Sequence, residues 1–184
     1  MPDEIIVSAH DRSDTFDVLD ELADLYEQAY AEPPFNSGPK FSRARFQDRT
    51  RDQVLASGFR LLTARRGEIL VGFAFGFSMM PGAWWANASP PPREVLDADK
   101  FVVVELVVSQ PERGRGLGRR LLDGLLAGRP ERFATLAAVM EADSYGMYRR
   151  WGWEKTGEFR AEPPFSDALL LPLRRINGSN RAQT

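Results

Sequence analysis

The apolar positions of the chain fall into three spacings, and each predicts a different element. From Phe101 to Val108, FVVVELVV, every residue except Glu105 is apolar and Val dominates, which predicts a buried strand. Ser109 and Pro111 break that run. After Arg113-Gly114-Arg115-Gly116-Leu117-Gly118, residues Leu117, Leu121, Leu122, Leu125 and Leu126 recur on one face of a helix. Upstream, Phe16, Leu19, Leu22, Ala23, Tyr26, Ala29 and Tyr30 predict a helix that Ser13 or Asp14 can cap. A less amphipathic helix is expected from Ser42 to before Gly58. Strict alternation marks Ile69 to Ser78: Ile69, Val71, Phe73, Phe75 and Phe77 on one face, Leu70, Gly72, Ala74, Gly76 and Ser78 on the other. With Phe59 to Ala64 this makes two strands joined by a turn at Arg65 to Glu68. Glu4–Ala9, Phe133–Val139, Trp153–Phe159 and Ala168–Leu173 complete the strands, and Asp143 or Ser144 can cap a helix through Arg150.

The resulting order is a mixed α/β layout, and 184 residues suit one domain, read as residues 1–175 with a polar tail at 176–184 expected to fray. Gly124 lies inside the Leu-rich helix at a cost of roughly 1 kcal/mol in propensity, for which close packing is the one reason available. Two loops stand out. Glu32 to Pro39 combines two proline breaks with Asn and Gly turn chemistry. Met79 to Lys100 is long and irregular, and its Trp84-Trp85 pair either caps the core or walls a binding pocket.

Composition removes several function classes. No cysteine is present, so disulfides, thiolate metal sites and a cysteine nucleophile are excluded. The single histidine, His10, argues against a histidine metal cluster or a catalytic triad, and no metal site is expected. A net charge of −2 gives no electrostatic case for nucleic-acid binding. Ile69 to Ala86 is uncharged, yet its alternation and the following Pro81-Gly82 mark a strand in a soluble sheet, not a membrane span. The early acids of MPDEIIVSAHD are unlike a signal peptide, so a cytoplasmic protein is expected. Arginine almost replaces lysine, which occurs only at 40, 100 and 155; with abundant Ala and Gly this points to a GC-rich bacterial genome.

The candidate chemistry centres on Phe101 to Arg120. A strand, a Gly/Arg turn and a helix start make an anion-binding device, because glycines expose backbone N–H groups, the helix end adds partial positive charge and arginines add full charge. The alternative is a plain turn with solvated arginines; the placement of Arg-x-x-Gly-x-Gly between strand and helix favours phosphate binding. Glu105, a lone acid among valines, cannot be left as an unpaired buried carboxylate. Either its desolvated carboxyl serves as a general base, or it pairs with an arginine on a solvent-facing sheet surface.

VVVELVVSQPERGRGLGRRLLDGLL resembles the acetyl-CoA-binding signature of the GNAT superfamily of N-acetyltransferases, and MYRRWGW, Met147 to Trp153, resembles that family's Tyr-x-x-x-Gly-Phe element. The resemblance implies a mostly antiparallel central sheet with splayed central strands flanked by helices. It also implies acetyl-CoA as cofactor, with Val107 and Val108 along the pantetheine arm and Arg113 to Arg119 around the pyrophosphate. In that turn Arg113 and Arg115 would supply charge and Gly114, Gly116 and Gly118 amides, with Leu117 and Arg119 between and beside them. Glu105 would be the base and Tyr148 the general acid, with Tyr145 a weaker alternative and core packing the bland reading of Tyr148. Many relatives carry Asn where this chain has Glu141, which puts one cofactor contact in doubt.

Without cysteine, direct attack by an amine in a ternary complex is the economical mechanism. The acceptor would be a small-molecule or peptide amine, with Tyr30, Phe35, Trp84 and Trp85 as pocket candidates by position, beside Tyr26, Glu32 and Asn36. No nucleic-acid or membrane partner is expected, and a monomer or homodimer is. A catalytically silent CoA-binding sensor on the same fold is the competing reading.

Overall fold

The computed structural model describes residues 4–174. In chain order the elements are β1 (Ile5–His10), α1 (Arg12–Tyr30), α2 (Arg43–Val54), β2 (Arg60–Arg66), β3 (Ile69–Met79), α3 (Arg93–Leu96), β4 (Lys100–Val108), α4 (Leu117–Leu126), β5 (Phe133–Val139), α5 (Asp143–Arg150), β6 (Glu154–Phe159) and β7 (Ser166–Pro172). The tail expected to fray lies outside the described residues. Predicted and observed elements agree closely, with differences at the caps. Asp11, not Ser13 or Asp14, caps α1 by accepting from the Asp14 N–H at 2.9 Å. Ser42 caps α2 as expected, whereas α5 has no side-chain cap and starts at Asp143.

One seven-stranded sheet has the order β1-β2-β3-β4-β5-β7-β6. All neighbours are antiparallel except β4 and β5. The mixed, mostly antiparallel architecture expected from the sequence is therefore the one observed. β7 inserts between β5 and β6, an order that strand propensity cannot reveal. On one face, Leu117, Leu121, Leu122 and Leu125 of α4 pack against Ala74, Val103, Leu136 and Ala138. On the other, Leu19, Leu22 and Tyr26 of α1 and Phe46 of α2 pack against Leu61, Phe73, Phe75 and Val107.

The small residues of β3 are what let α4 approach. A Cβ on Gly72 would lie 3.0 Å from Leu121 Cδ1 and 3.1 Å from the Val107 carbonyl. Gly124 meets the same need from the helix side, since a Cβ there would fall 2.8 Å from Leu62 Cδ1. The simple alternation read along β3 is corrected at Val71. Ala64 pairs with Gly72 but Arg65 with Leu70, so Val71 is an extra residue, and the bulge turns it to the α4 face, away from Phe73.

The long loop after β3 contains α3 and ends at Lys100, whose buried ammonium donates to the carbonyls of Val95, Leu96 and Ala98 at 3.0, 3.0 and 2.6 Å. Among the described residues, no helix is long and apolar enough to cross a membrane.

Candidate active site

Two irregularities of β4 create the site. Phe75 of β3 pairs with Glu105 and Gly76 with Val103, leaving Val104 as an extra residue. The bulge turns Val104 and Glu105 together toward the face covered by α1 and α2. Pairing of β4 with β5 stops at Val102 and Thr135, although both strands continue. Beyond that rung the two strands part, and among the described residues no strand pairs with β4 on its β5 side.

Glu105 is 6% exposed and both of its oxygens are held. The Tyr30 hydroxyl donates to Oε2 at 2.8 Å, and Arg49 Nη2 donates to Oε1 at 3.1 Å. The same Nη2 donates to the Tyr26 hydroxyl at 2.9 Å. Burial is the largest influence on the Glu105 carboxyl and pushes its pKa above the ordinary value, against the opposing pull of Arg49 and Tyr30. Burial and the Glu105 charge push the Tyr30 phenol well up, so it remains a donor. A carboxylate offers about four lone-pair directions. Two are used here, so Glu105 can still accept a proton from an amine or a bridging water. The arginine pairing that the second sequence reading invoked is present, but at a buried position and not on a solvent-facing surface.

Tyr148 projects from α5 into the core, edge-on to Trp151 and Trp153 with ring centroids 6.0 Å away in each case. Among the described residues its hydroxyl has no hydrogen-bond partner. Burial first, then the Glu105 charge, raise its pKa, so the phenol keeps its proton and stands within electrostatic range of that carboxylate. Tyr145, the weaker alternative, is committed elsewhere, donating to Asp167 Oδ2 at 2.7 Å.

The Gly/Arg turn follows directly from β4. Gly114 and Gly116 have φ of +74° and +81°, a left-handed backbone that favours glycine, and an added Cβ at either would meet nothing within 4 Å. Gly116 is the N-cap of α4 and brings no side-chain acceptor. The first amides of α4, those of Leu117, Gly118 and Arg119, therefore have no intrahelical partner and face an open cradle. Arg115 is exposed at its rim, 3.7 Å from Glu112, whose carboxylate is held by Arg66 at 3.0 and 2.9 Å. Arg119 bonds Asp123 and lies 5.2 Å over Trp151. Arg113 is engaged by the protein itself: its Nε donates to the Val108 carbonyl at 2.9 Å and its Nη1 to Glu32 at 2.5 Å.

The remaining sequence candidates divide into two groups. Phe35 joins Tyr30, with ring centroids 4.6 Å apart, and Phe41 completes that aromatic wall at 5.0 Å from Tyr30. Trp84 and Trp85 fasten the long loop down instead, Trp84 to the Ser89 carbonyl and Trp85 to Thr135 Oγ1 and edge-on to Phe159. Val107 is buried on the α1/α2 side and Val108 half-buried on the α4 side. Glu141 is exposed just before α5. Two surface cavities lie elsewhere. One of about 560 Å³ is lined by Ser57, Met80, Asp99 and Arg132, and one of about 420 Å³ by Glu21, Gln28, Leu70 and Ser109. The β4 gap, not either cavity, has the buried acid and the amide cradle.

Sequence reasoning missed Arg49. The signal was its place three residues after Phe46 and one before Thr50, on the inward face of α2, although α2 as a whole reads as a charged surface helix.

A buried acid on the central strand, a gap opening beside it and an amide-lined turn after it form the arrangement that the Glu105-to-Gly118 pattern implied. The Acetyltransferase (GNAT) family profile matches residues 19–153, a span that contains all three features. The chain belongs to the GNAT acetyltransferase family. Solved structures share the GNAT fold across nearly the whole chain. A protein of Pyrococcus horikoshii OT3, PH1933, is 20% identical, with a TM-score of 0.66 covering 93% of this chain and 99% of that one. The PaiA N-acetyltransferase of Thermoplasma acidophilum, solved with coenzyme A, is 12% identical with a TM-score of 0.59, covering 92% and 99%. NAA60 of Arabidopsis thaliana, solved with a bisubstrate analogue, is 16% identical with a TM-score of 0.61, covering 91% and 95%. No curated protein matches the chain in sequence.

Proposed function

We propose that this GNAT protein is an acetyl-CoA-dependent N-acetyltransferase that moves an acetyl group to the amine of a small molecule or peptide, by direct attack in a ternary complex. The observation that carries the reading is Glu105, a buried carboxylate placed by a bulge at the point where β4 and β5 separate. The residues present fit the cofactor. The open cradle at Gly114 and Gly116, the unpartnered amides of Leu117, Gly118 and Arg119, and the exposed Arg115 suit a pyrophosphate. The β4 backbone at Val107 and Val108 suits an arm that pairs as an added strand would. PaiA, with the same fold, was solved with coenzyme A.

Bound acetyl-CoA supplies an activated acyl carbonyl and a thiolate leaving group. Glu105 accepts the proton of the acceptor ammonium, directly or through water, and burial brings its basicity closer to neutral pH. Tyr148, kept protonated by its surroundings, donates to the departing sulfur. Tyr30, Phe35 and Phe41 form an aromatic wall beside Glu105 suited to the apolar part of an acceptor.

Calorimetric titration with acetyl-CoA tests the cofactor site. Arg115→Ala is expected to weaken binding by on the order of 10- to 100-fold, the worth of one charge-assisted contact. No binding to folded wild-type protein sinks the reading. A free-thiol assay over an amine library then identifies the acceptor. With it, Tyr148→Phe is expected to lower kcat by on the order of 10²-fold. Its fold should be unaffected, since the lost hydroxyl bonds nothing among the described residues. Unchanged kinetics remove Tyr148 from the mechanism.

A further inference from the structure

We propose that Arg49 of α2 is a positioning residue for Glu105: its guanidinium, braced on the Tyr26 hydroxyl, keeps the buried carboxylate ionised and fixes which of its oxygen edges faces the acceptor. The inference rests on the reading of Glu105 as the base. It adds that the base is set by a residue outside the strand, gap and turn that make up the rest of the site.

Three observations carry it. First, Arg49 is the one cation in contact with Glu105 among the described residues. The other titratable groups facing that carboxyl are phenols, Tyr26 and Tyr30 from α1 and Tyr148 from α5. Second, one nitrogen, Nη2, bonds both Glu105 Oε1 and the Tyr26 hydroxyl, while the guanidinium lies 5.4 and 5.6 Å over the rings of Tyr26 and Phe46. Packing and two hydrogen bonds therefore fix the cation, and the fixed cation fixes the carboxylate plane. Third, Tyr30 holds the other oxygen, so Glu105 cannot rotate without losing a bond at each end. A base in this pocket faces opposed demands. Burial raises its pKa, and an isolated buried carboxyl can rise to 8–9 and stand protonated at neutral pH. A cation at hydrogen-bond distance opposes that rise by roughly one to three units.

The test follows the carboxyl itself, without an acceptor. The protein is labelled with side-chain ¹³C-glutamate, and the Glu105 resonance is assigned by its absence in Glu105→Gln and titrated by NMR. Arg49→Met retains most of the stem that packs on Tyr26 and Phe46 and removes the charge. Its Glu105 midpoint is expected one to three pH units above wild type, a 10- to 1,000-fold loss of acidity. Arg49→Lys keeps the charge and is expected within about one unit of wild type. Because lysine lacks the planar fork, it should turn over more slowly on the amine found in the library screen. Should the Met variant not fold, Arg49→Gln is read in the same way.

A midpoint that does not move on loss of the charge overturns the role of Arg49 and leaves the enzyme reading intact. A midpoint that moves while the acid limb of kcat/KM stays in place shows that Glu105 is not the base, and overturns both. Parallel movement of the midpoint and the limb, with lysine restoring both, is the expected result.

Discussion

Glu105→Gln is expected to lower kcat by about 10²- to 10⁴-fold, the range for loss of a positioned general base, with acetyl-CoA affinity nearly unchanged. The substitution keeps the shape of the side chain, and its amide oxygen can still accept from Tyr30 or Arg49, though not from both with two lone carboxylate oxygens. The amide nitrogen then faces the other donor, and Arg49 loses its counter-charge. Arg49 keeps a third of its side-chain surface exposed. Water can therefore relieve part of that loss, and the destabilisation should stay near 1–3 kcal/mol, short of unfolding. Circular dichroism and acetyl-CoA calorimetry separate this from a folding defect. The pH dependence supplies an independent check. The folded carboxyl titrates above its ordinary value, so as pH falls through that raised pKa the wild-type base is protonated and kcat/KM drops. The Gln variant has nothing to titrate there and should lack that limb. Turnover near the wild-type level, or a retained limb, would falsify the assignment of Glu105 as base.

Gly76→Ala is expected to have the largest effect on stability. A Cβ at that position would lie 2.1 Å from the Val102 carbonyl oxygen and 2.7 and 2.8 Å from two ring atoms of Phe101. A flexible side-chain tip could move aside, but the nearest obstacle here is backbone. Val102 pairs with Phe77 on one side and Thr135 on the other, the last rung joining β4 to β5. Shifting it disturbs the joint between the two halves of the sheet. Overpacking commonly costs 1–3 kcal/mol and sometimes more; with a fixed obstacle the loss should be roughly 2–4 kcal/mol. For a chain of this size that is about 5–15 °C in melting temperature. Gly72→Ala is the comparison, because its closest approaches are 3.0 and 3.1 Å, and a smaller loss is expected. A Gly76→Ala melt within a degree or two of wild type would show that β3 and β4 do not approach as described.

These two positions also show what the chain makes legible before it folds. Glu105 stands out because one acid interrupts a run of valines, and the alternation of β3 announces its small residues. Both readings depend on a regular two-residue period. The bulges at Val71 and Val104 interrupt that period, and no local composition marks them, since they arise from how neighbouring strands fit together. Val71 and Leu70 thus lie on the faces opposite to those the two-residue period predicts. The direction of Glu105, toward α1 and α2, depends equally on the bulge beside it. The partners of Glu105 were legible only by half. Tyr30 was a pocket candidate through its position at the end of α1, whereas Arg49 sits among so many charges in RARFQDRTRDQV that its inward direction is lost. The glycine turn was the most readable feature, because an open left-handed backbone leaves its mark in residue type. Even so, the Glu32 partner of Arg113, 81 positions away in the chain, could not be read from local pattern.

The position of β7 between β5 and β6 has a consequence for the order in which the molecule is made. Residues 154–159 are synthesised before residues 166–172, the strand with which they pair along their length. The antiparallel partner of residues 133–139 is that same late segment. The first four strands and their helices can pair as they emerge, each with a neighbour already present or soon to follow. The other side of the cleft must wait, its edges open, until synthesis has passed Pro172. The wall of the gap that bears Tyr148 is therefore completed last, and a nascent chain stalled before Ser166 would carry Glu105 on an assembled half-sheet while lacking the surface that faces it.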